Sequence, residues 1–392
     1  MSGAVGGGGF GITGIGATPF SRASGKSVLA LAVEASAAAI ADAGMVPAEI
    51  DGVVRCEQEA VLPNALAHTL GLQDLAYWGS VGVGGSAPCA MVGQAAAAIA
   101  AGLATNVLVF RSLNGRSGAR FGQSRAPKRV GGEGTYDEYF SPFGLLAPGQ
   151  MFALIAQRHM SEFGTTSDQL GRIATACRAR ANANPAAQMQ GRPMSMEDYR
   201  AARLISDPLR LYDYCLETDG ACALIVSSAA RARDCPWPPV MIAATAQGAM
   251  PGVQGGVVFP SLMRGTITTQ PSANVARRLY GRSGLTPAGI DVAQLYDCFT
   301  ITVLLQLEDY GFCEKGEGGP YAESGAIDLG GSLPINTAGG NLSEGYIHGL
   351  NHVVEGVRQI RGSSTSQVRG AEVCLVTSGI PPATSAAILT AA

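Results

Sequence analysis

The apolar positions of this chain gather into short unbroken runs of four to seven residues, set between glycine- and proline-containing turns and longer stretches with one apolar side. Runs of that length fit buried strands of a parallel sheet with helices on both faces, because a strand covered on both sides has no polar alternation to display. Two segments about 240 residues apart repeat one another: AGMVPAEIDGVVR (43–55) and SGLTPAGIDVAQLY (283–296). In each a helix stops at a glycine (Gly44, Gly284) and a proline follows three residues on (Pro47, Pro287). An Ile-Asp pair (Ile50-Asp51, Ile290-Asp291) then leads into an apolar run. The next units repeat too. SVGVGGSAPCAMVGQAAAAIAAGLATNVLVF follows the first strand, and NTAGGNLSEGYIHGLNHVVEGVRQIRG with AEVCLVTSG follows the second. Each reads as a glycine-rich turn, a buried helix and a β-branched strand, so two βαβ halves on one plan predict an α/β fold.

A length of 392 residues suits two such halves, divided at 1–235 and 236–392. Composition shifts over about 116–222. There RSGARFGQSRAPKRVGGEGTYDEYFSPFG carries five Arg or Lys, and the helical MFALIAQRHMSEFG and SDQLGRIATACRARANANP follow. This reads as a loop domain inserted in the first half, whose basic residues either meet an anionic cofactor or form a solvated surface.

Hydrophobic residues make up 47%, charged residues 15%, and glycines number 53, which predicts large buried layers joined by tight turns and excludes disorder. A formal charge of −3, with no basic run interleaved with aromatics, excludes a nucleic-acid surface. The nine cysteines are odd in number and form no C-x-x-C pair, so neither a disulfide framework nor a zinc site is signalled and a cytoplasmic location is expected. MSGAVGGGGFGITG has no basic region ahead of an apolar core, which predicts no export signal. AMVGQAAAAIAAGLA, about fifteen residues, is too short for a membrane span. Glycine runs such as GVGGSA do not follow the dinucleotide fingerprint.

LYDCFTITVLLQLEDYGFC, LPINTAGGNLSEGYIHG, and NPAA with DPLRLYDYCLETDGACALIV resemble the thiolase superfamily, in particular the sterol-carrier-protein-x type branch that includes the thiolase-fold aldolases of steroid side-chain degradation. The likeness runs from the first strand through CLVTSGIPPATSAAIL. It implies a duplicated five-layer αβαβα fold with an inserted loop domain. The chain departs from thiolases at their catalytic positions. The nucleophilic cysteine is matched by Gly85, the residue heading the NEAF-like motif by Tyr296, and the histidine of the glycine-histidine-proline loop by Tyr346. Cys89 lies four residues past the nucleophile position and reads as helix packing; Cys374 sits inside an apolar run and reads as core.

The resemblance assigns Tyr296 and Tyr346 to catalysis. A lone tyrosine at a strand end ordinarily packs with its hydroxyl reaching water, and only their joint position on the catalytic loops singles these two out. Acyl transfer needs a thiolate. Retro-aldol cleavage of a β-hydroxyacyl thioester instead needs one group to take the β-hydroxyl proton and another to protonate the α-carbon. A tyrosine titrates near 10, about three units above neutrality, so as a base it needs help worth roughly 4 kcal/mol or a partly transferred proton. Glycine-rich turns at helix N-termini supply such help. Tyr346 is placed nearest the thioester and Tyr296 at the β-hydroxyl, with the reverse assignment still open. Asp297, Glu344 and His348 are candidates for tuning the pair, Asp297 equally for a structural part. The spacing of His348 and His352 suits one helical face, either as a metal pair or, lacking a third ligand, as packing and capping; no metal is expected.

Three functions fit. The first is a carbon–carbon lyase acting on a bulky, steroid-like β-hydroxyacyl-CoA to give a ketone and a short acyl-CoA such as propionyl-CoA. CoA then enters as part of the substrate, with no covalent cofactor. The resemblance adds a small OB-fold, zinc-ribbon partner protein and a homodimer core within a heterotetramer, and the charge-free VGQAAAAIAAGLA fits such a dimer core. The others are a non-catalytic acyl-CoA or lipid-binding subunit and an acyltransferase using Cys89.

Overall fold

The turn signals and apolar runs resolve, in a computed structural model that describes residues 9–82, 84–118, 120, 141–249, 266–379, 381 and 383–392, into alternating strands and helices. The first half comprises β1 (Phe10–Ala17), α1 (Val28–Asp42), β2 (Gly52–Arg55), α2 (Pro63–Leu70), β3 (Tyr77–Ser80), α3 (Ala87–Ala100) and β4 (Asn106–Asn114). Next come α4 (Pro148–Phe163), α5 (Ser167–Ala183), α6 (Met196–Ala201), the hairpin β5 (Leu204–Ser206) and β6 (Leu209–Arg210), then β7 (Asp219–Ser228) and α7 (Ala229–Arg233). The rest of the chain forms β8 (Val240–Ala249), α8 (Pro271–Ser283), β9 (Val292–Gln294), α9 (Thr300–Asp309), α10 (Gly318–Glu323), α11 (Gly340–Ser343), α12 (Leu350–Arg361), β10 (Val373–Ser378) and β11 (Ala383–Ala391).

Among the described residues, nine strands join in the order β3-β2-β4-β7-β1-β8-β11-β10-β9. The seam between β1 and β8 is thin, with only Gly11 opposite Met241 and Ile12 opposite Val240. Parallel pairing, expected from the unbroken apolar runs, holds for β2 with β3 and β4 and for β9 with β10. The other neighbours in this sheet are antiparallel. An unbroken run reports that both faces are covered, which does not set strand direction.

Burial divides into three clusters that separate five layers. Leu108, Phe110, Ala221, Ala223 and Ile225 face α1 and α2 on one outer side. Their strand neighbours Val107, Val109, Cys222, Leu224 and Val226 face the centre, where α3 and α12 lie between the strands of the two halves. Leu295, Leu375, Ala386 and Ile388 face α8, α9, α4 and α5 on the far side.

The repeated Ile-Asp pairs do the same work in each half. Ile50 and Ile290 are buried, while the Asp51 carboxylate accepts the N–H groups of Thr105 and Asn106 and that of Asp291 accepts those of Glu372 and Val373. Each carboxylate thus fixes the start of the parallel neighbour strand, β4 or β10.

The chain leaves the sheet after β4 and returns to it at β7, and these two strands pair along their whole length down to Asn114 opposite Asp219. The neck is tied by the Asp219 carboxylate, which accepts the N–H groups of Ser24, Arg116 and Ser117. From it α4 and α5 reach over and pack on α9 of the second half.

Candidate active site

Tyr296 lies two residues past the end of β9, and its backbone is fixed on both sides. Its N–H donates to Thr377 Oγ1 at 2.8 Å, and its carbonyl accepts from Thr302 Oγ1 at 2.9 Å and Gln306 Nε2 at 2.7 Å. Tyr346 lies in the turn between α11 and α12, where its N–H donates to Thr218 Oγ1 at 2.9 Å. Fifty residues apart in sequence, the two phenol oxygens lie 3.0 Å from each other, sharing a hydrogen bond. Tyr296 is buried, and Tyr346 is partly exposed to the cavity. Burial pushes both phenols well above their ordinary pKa. Both hold their protons at neutral pH, so the arrangement suits handing a proton along the pair better than storing a phenolate.

Gly85 explains its own identity. It precedes α3, and a Cβ built on it would sit 1.9 Å from the Tyr296 hydroxyl oxygen, far inside contact distance. The volume that a nucleophile's side chain would claim at this position is taken by the tyrosine hydroxyl. Cys89, further along α3, is fully buried, its Sγ 3.1 Å from Ser378 Oγ, and burial pushes its thiol up to about 12. Ser378 and Ser385 accept the N–H groups of Cys89 and Ala90, so these helix N-terminal donors are spent on side chains of the second half. This thiol lies in the core, off the cavity.

Asp297 turns away from its neighbour Tyr296 into the interior. Its carboxylate accepts the N–H of Asn341 at 2.8 Å and of Leu342 at 3.2 Å, and meets His352 Nε2 at 2.9 Å. It therefore fixes α11 and, through α11, the turn carrying Tyr346. Glu344 is also buried; it accepts from Asn351 Nδ2 at 3.0 Å, and burial raises its carboxyl to about 8.

His348 and His352 do not share a helical face. His348 and Gly349 have φ of 53° and 88°, and α12 begins only at Leu350. The helical spacing is broken by these left-handed residues. His352 points to Asp297, whereas His348 lines the cavity and packs edge-on to the Tyr346 ring at 5.2 Å. The described residues contain no group of three or more side chains suited to holding a metal.

Sequence reasoning missed Arg111 and Glu59. Arg111 Nε donates to His348 Nδ1 at 3.2 Å, and its Nη1 donates to Glu59 Oε2 at 2.7 Å, all of it buried. A signal was present: Arg111 is the one charge interrupting the buried run NVLVFRSL, and a buried charge demands a partner.

A cavity of about 1080 Å³ opens onto Tyr296, Tyr346, His348 and Gly85, at the upper end of ordinary ligand pockets of roughly 300–1000 Å³. Five arginines line it, Arg22, Arg116, Arg120, Arg178 and Arg203. Arg120 and, at 3.8 Å, Arg116 pair with Glu217. The other basic residues of the loop segment, Arg125, Lys128 and Arg129, lie outside the described residues.

A family model described as thiolase C-terminal domain-like matches residues 261–390. A 17-hydroxy-3-oxo-4-pregnene-20-carboxyl-CoA lyase from Mycobacterium tuberculosis is 45% identical, covering 96% of this chain and 98% of the relative. A steroid side-chain-cleaving aldolase from Thermomonospora curvata is 44% identical, covering 96% and 97%. The solved Ltp2-ChsH2(DUF35) aldolase superposes with a TM-score of 0.93 at 42% identity and covers 98% of both chains. Human mitochondrial 3-ketoacyl-CoA thiolase, at 14% identity and a TM-score of 0.71, shares the fold. Relatives this similar over nearly the whole length place the chain in the thiolase-fold family of steroid side-chain-cleaving aldolases, and as a carbon–carbon lyase.

Proposed function

We propose that this chain cleaves the bond between the α and β carbons of a steroid β-hydroxyacyl-CoA, releasing a ring ketone and propionyl-CoA. The observation that carries this reading is the tyrosine pair, hydroxyls 3.0 Å apart, seated over a glycine in place of a nucleophile.

The β-hydroxyl hands its proton to the Tyr296 oxygen while Tyr296 passes its own to Tyr346 across their shared hydrogen bond. In the same concerted step Tyr346 releases its own proton to the α-carbon as the carbon–carbon bond breaks, so the thioester carries only the enolate-like charge of the transition state and no tyrosine is doubly protonated. Each tyrosine ends neutral, so neither high pKa has to be overcome by a free phenolate. Tyr296 is assigned to the β-hydroxyl and Tyr346 to the α-carbon. Asp297 holds the Tyr346 turn.

The five cavity arginines are assigned to the CoA phosphates, which favour guanidinium donors. The halves 1–235 and 236–392, with a loop domain inserted at about 116–222, are taken as the units of the fold. A homodimer forms the core of a heterotetramer with a small OB-fold, zinc-ribbon protein in the cytoplasm. Support for a second protein comes from the paired names of the Ltp2-ChsH2(DUF35) structure.

The test is to incubate the chain and its partner with 17-hydroxy-3-oxo-4-pregnene-20-carboxyl-CoA, the thioester named for the M. tuberculosis relative, and follow the 17-ketone and propionyl-CoA. Tight binding without turnover, with the partner present, would refute the reading.

A further inference from the structure

Of the five arginines on the cavity wall, one is unlike the rest. Arg22 and Arg203 are exposed, and Arg116 and Arg120 pair with Glu217. Arg178 is only 7% exposed, and no carboxylate among the described residues pairs with it. Its Nε donates to Ser343 Oγ at 3.0 Å, its Nη1 to the Arg192 carbonyl at 3.4 Å, and its guanidinium lies 5.4 Å from the centre of the Tyr212 ring. Nη2 meets no acceptor among the described residues, yet it is not sealed in as Nε and Nη1 of Arg180 are.

These partners are neutral, and burial, with the nearby Arg192 charge, pulls the guanidinium below its ordinary pKa. Arginine does not escape by losing its proton, so the wall carries a buried positive charge without a counter-ion, a costly arrangement. The side from which an anion can reach it is the cavity that it lines. A guanidinium fork suits phosphate oxygens.

The same side chain touches the catalytic turn. Ser343 is the last residue of α11, and Tyr346 follows three residues later. The Ser343 carbonyl accepts the Met189 N–H at 3.3 Å and the Glu344 carbonyl accepts that of Gln188 at 2.8 Å. This end of α11 is therefore held by the loop segment, through residues that also line the cavity.

We propose that Arg178 is the anchor through which the enzyme reads its CoA carrier: a phosphate of CoA supplies the missing anion, and the anchored guanidinium, through the positioning residue Ser343, holds the turn that carries Tyr346. Binding at the far end of the substrate is thereby used for orientation at the reacting carbon. The proposal rests on the retro-aldol reading of the cavity.

Affinities for CoA, dephospho-CoA and pantetheine, measured by calorimetry with the partner present, test the anchor. Arg178→Met keeps an unbranched stem and removes the charge. It should weaken CoA by about tenfold to a hundredfold, as loss of hydrogen bonds to a charged group does, and leave pantetheine, which has no phosphate, within about threefold. Because a buried charge is removed, the melting temperature without ligand should not fall. Dephospho-CoA lacks the ribose phosphate: a loss equal to that for CoA assigns the diphosphate to Arg178, and a smaller loss assigns the ribose phosphate. Equal losses for CoA and pantetheine, or a variant that binds CoA as the wild type does, overturn the anchor. Ser343→Ala tests the link to Tyr346. The wild type should show a higher kcat on the steroid CoA thioester than on its pantetheine counterpart. In Ser343→Ala that advantage should disappear while CoA affinity stays within about threefold. Equal kcat on both thioesters in the wild type, or an advantage intact in Ser343→Ala, overturns the link. If Arg178→Met loses CoA affinity but the wild type cleaves neither thioester, the retro-aldol reading and the link fall and the phosphate anchor stands. If the wild type cleaves the steroid thioester and Arg178→Met binds CoA normally, Arg178 alone is removed.

Discussion

At residue scale the proposed mechanism turns on single hydroxyl groups. Tyr296→Phe and Tyr346→Phe each delete one oxygen and keep the ring, so each should cost on the order of 10² to 10⁴ in turnover with little loss of thermal stability. If both oxygens belong to the one proposed relay, the double variant should fall little below the worse single one. Near-normal turnover in either folded single variant removes that tyrosine from the relay. Gly85→Ala makes a sharper test of geometry, since its Cβ would lie 1.9 Å from the Tyr296 oxygen and 2.3 Å from its ring. It should lower turnover as severely as Tyr296→Phe, and combining the two should relieve part of its melting-temperature loss. Additive losses would mean that the hydroxyl does not fill that space. Tyr296, Tyr346 and Gly85 were legible because each falls on a short motif with a counterpart in the resembled fold. Arg111 was marked only as a charge inside an apolar run; its partners were not legible, because His348 stands 237 residues beyond it and no local spacing encodes such a contact.

At the scale of elements, the repeat was legible because it is written twice, and Asp51 and Asp291 fix equivalent strand starts with equivalent hydrogen bonds. Strand direction was not, because burial on both faces is blind to it. The break between Tyr346 and α12 was also hidden, since the two histidines there have helical spacing and only their left-handed backbone prevents a shared face. The turn that makes this break carries a pH dependence of its own. Buried Glu344, raised from 4.5 to about 8, binds its proton more tightly folded than unfolded. Its stabilising contribution is therefore full below about pH 4.5 and is lost as pH rises through about 8. Glu344→Gln mimics the protonated form. The wild type's melting temperature relative to this variant should fall between pH 5 and 8 and level off above; a difference independent of pH would show that Glu344 is ionised throughout.

At the scale of the whole molecule, one end of the sheet among the described residues is β3. The terminal strand β3 presents Trp78 at 63% exposure. Beside it α3 buries Met91, Val92, Ala95 and Ala98 within the chain and leaves Ala97 and Ala100 exposed, with no charge on the helix. Much of the apolar character that suggested a dimer core thus serves the internal layers, and what remains outside is a narrow small-residue strip flanked by one large aromatic. A terminal strand with an exposed tryptophan invites pairing with another strand, and the apolar strip beside it extends the contact. If two copies associate through this edge, Trp78→Lys places a charge on the strand where sheet edges are ordinarily blunted, far in sequence from both tyrosines. Light scattering should give a dimer of the 40.0 kDa chain for the wild type and a shift to monomer for Trp78→Lys, with the melting temperature now independent of protein concentration. A dimer that persists in the lysine variant would move the interface elsewhere, and a wild type that is monomeric and fully active would remove the dimer from the functional assembly.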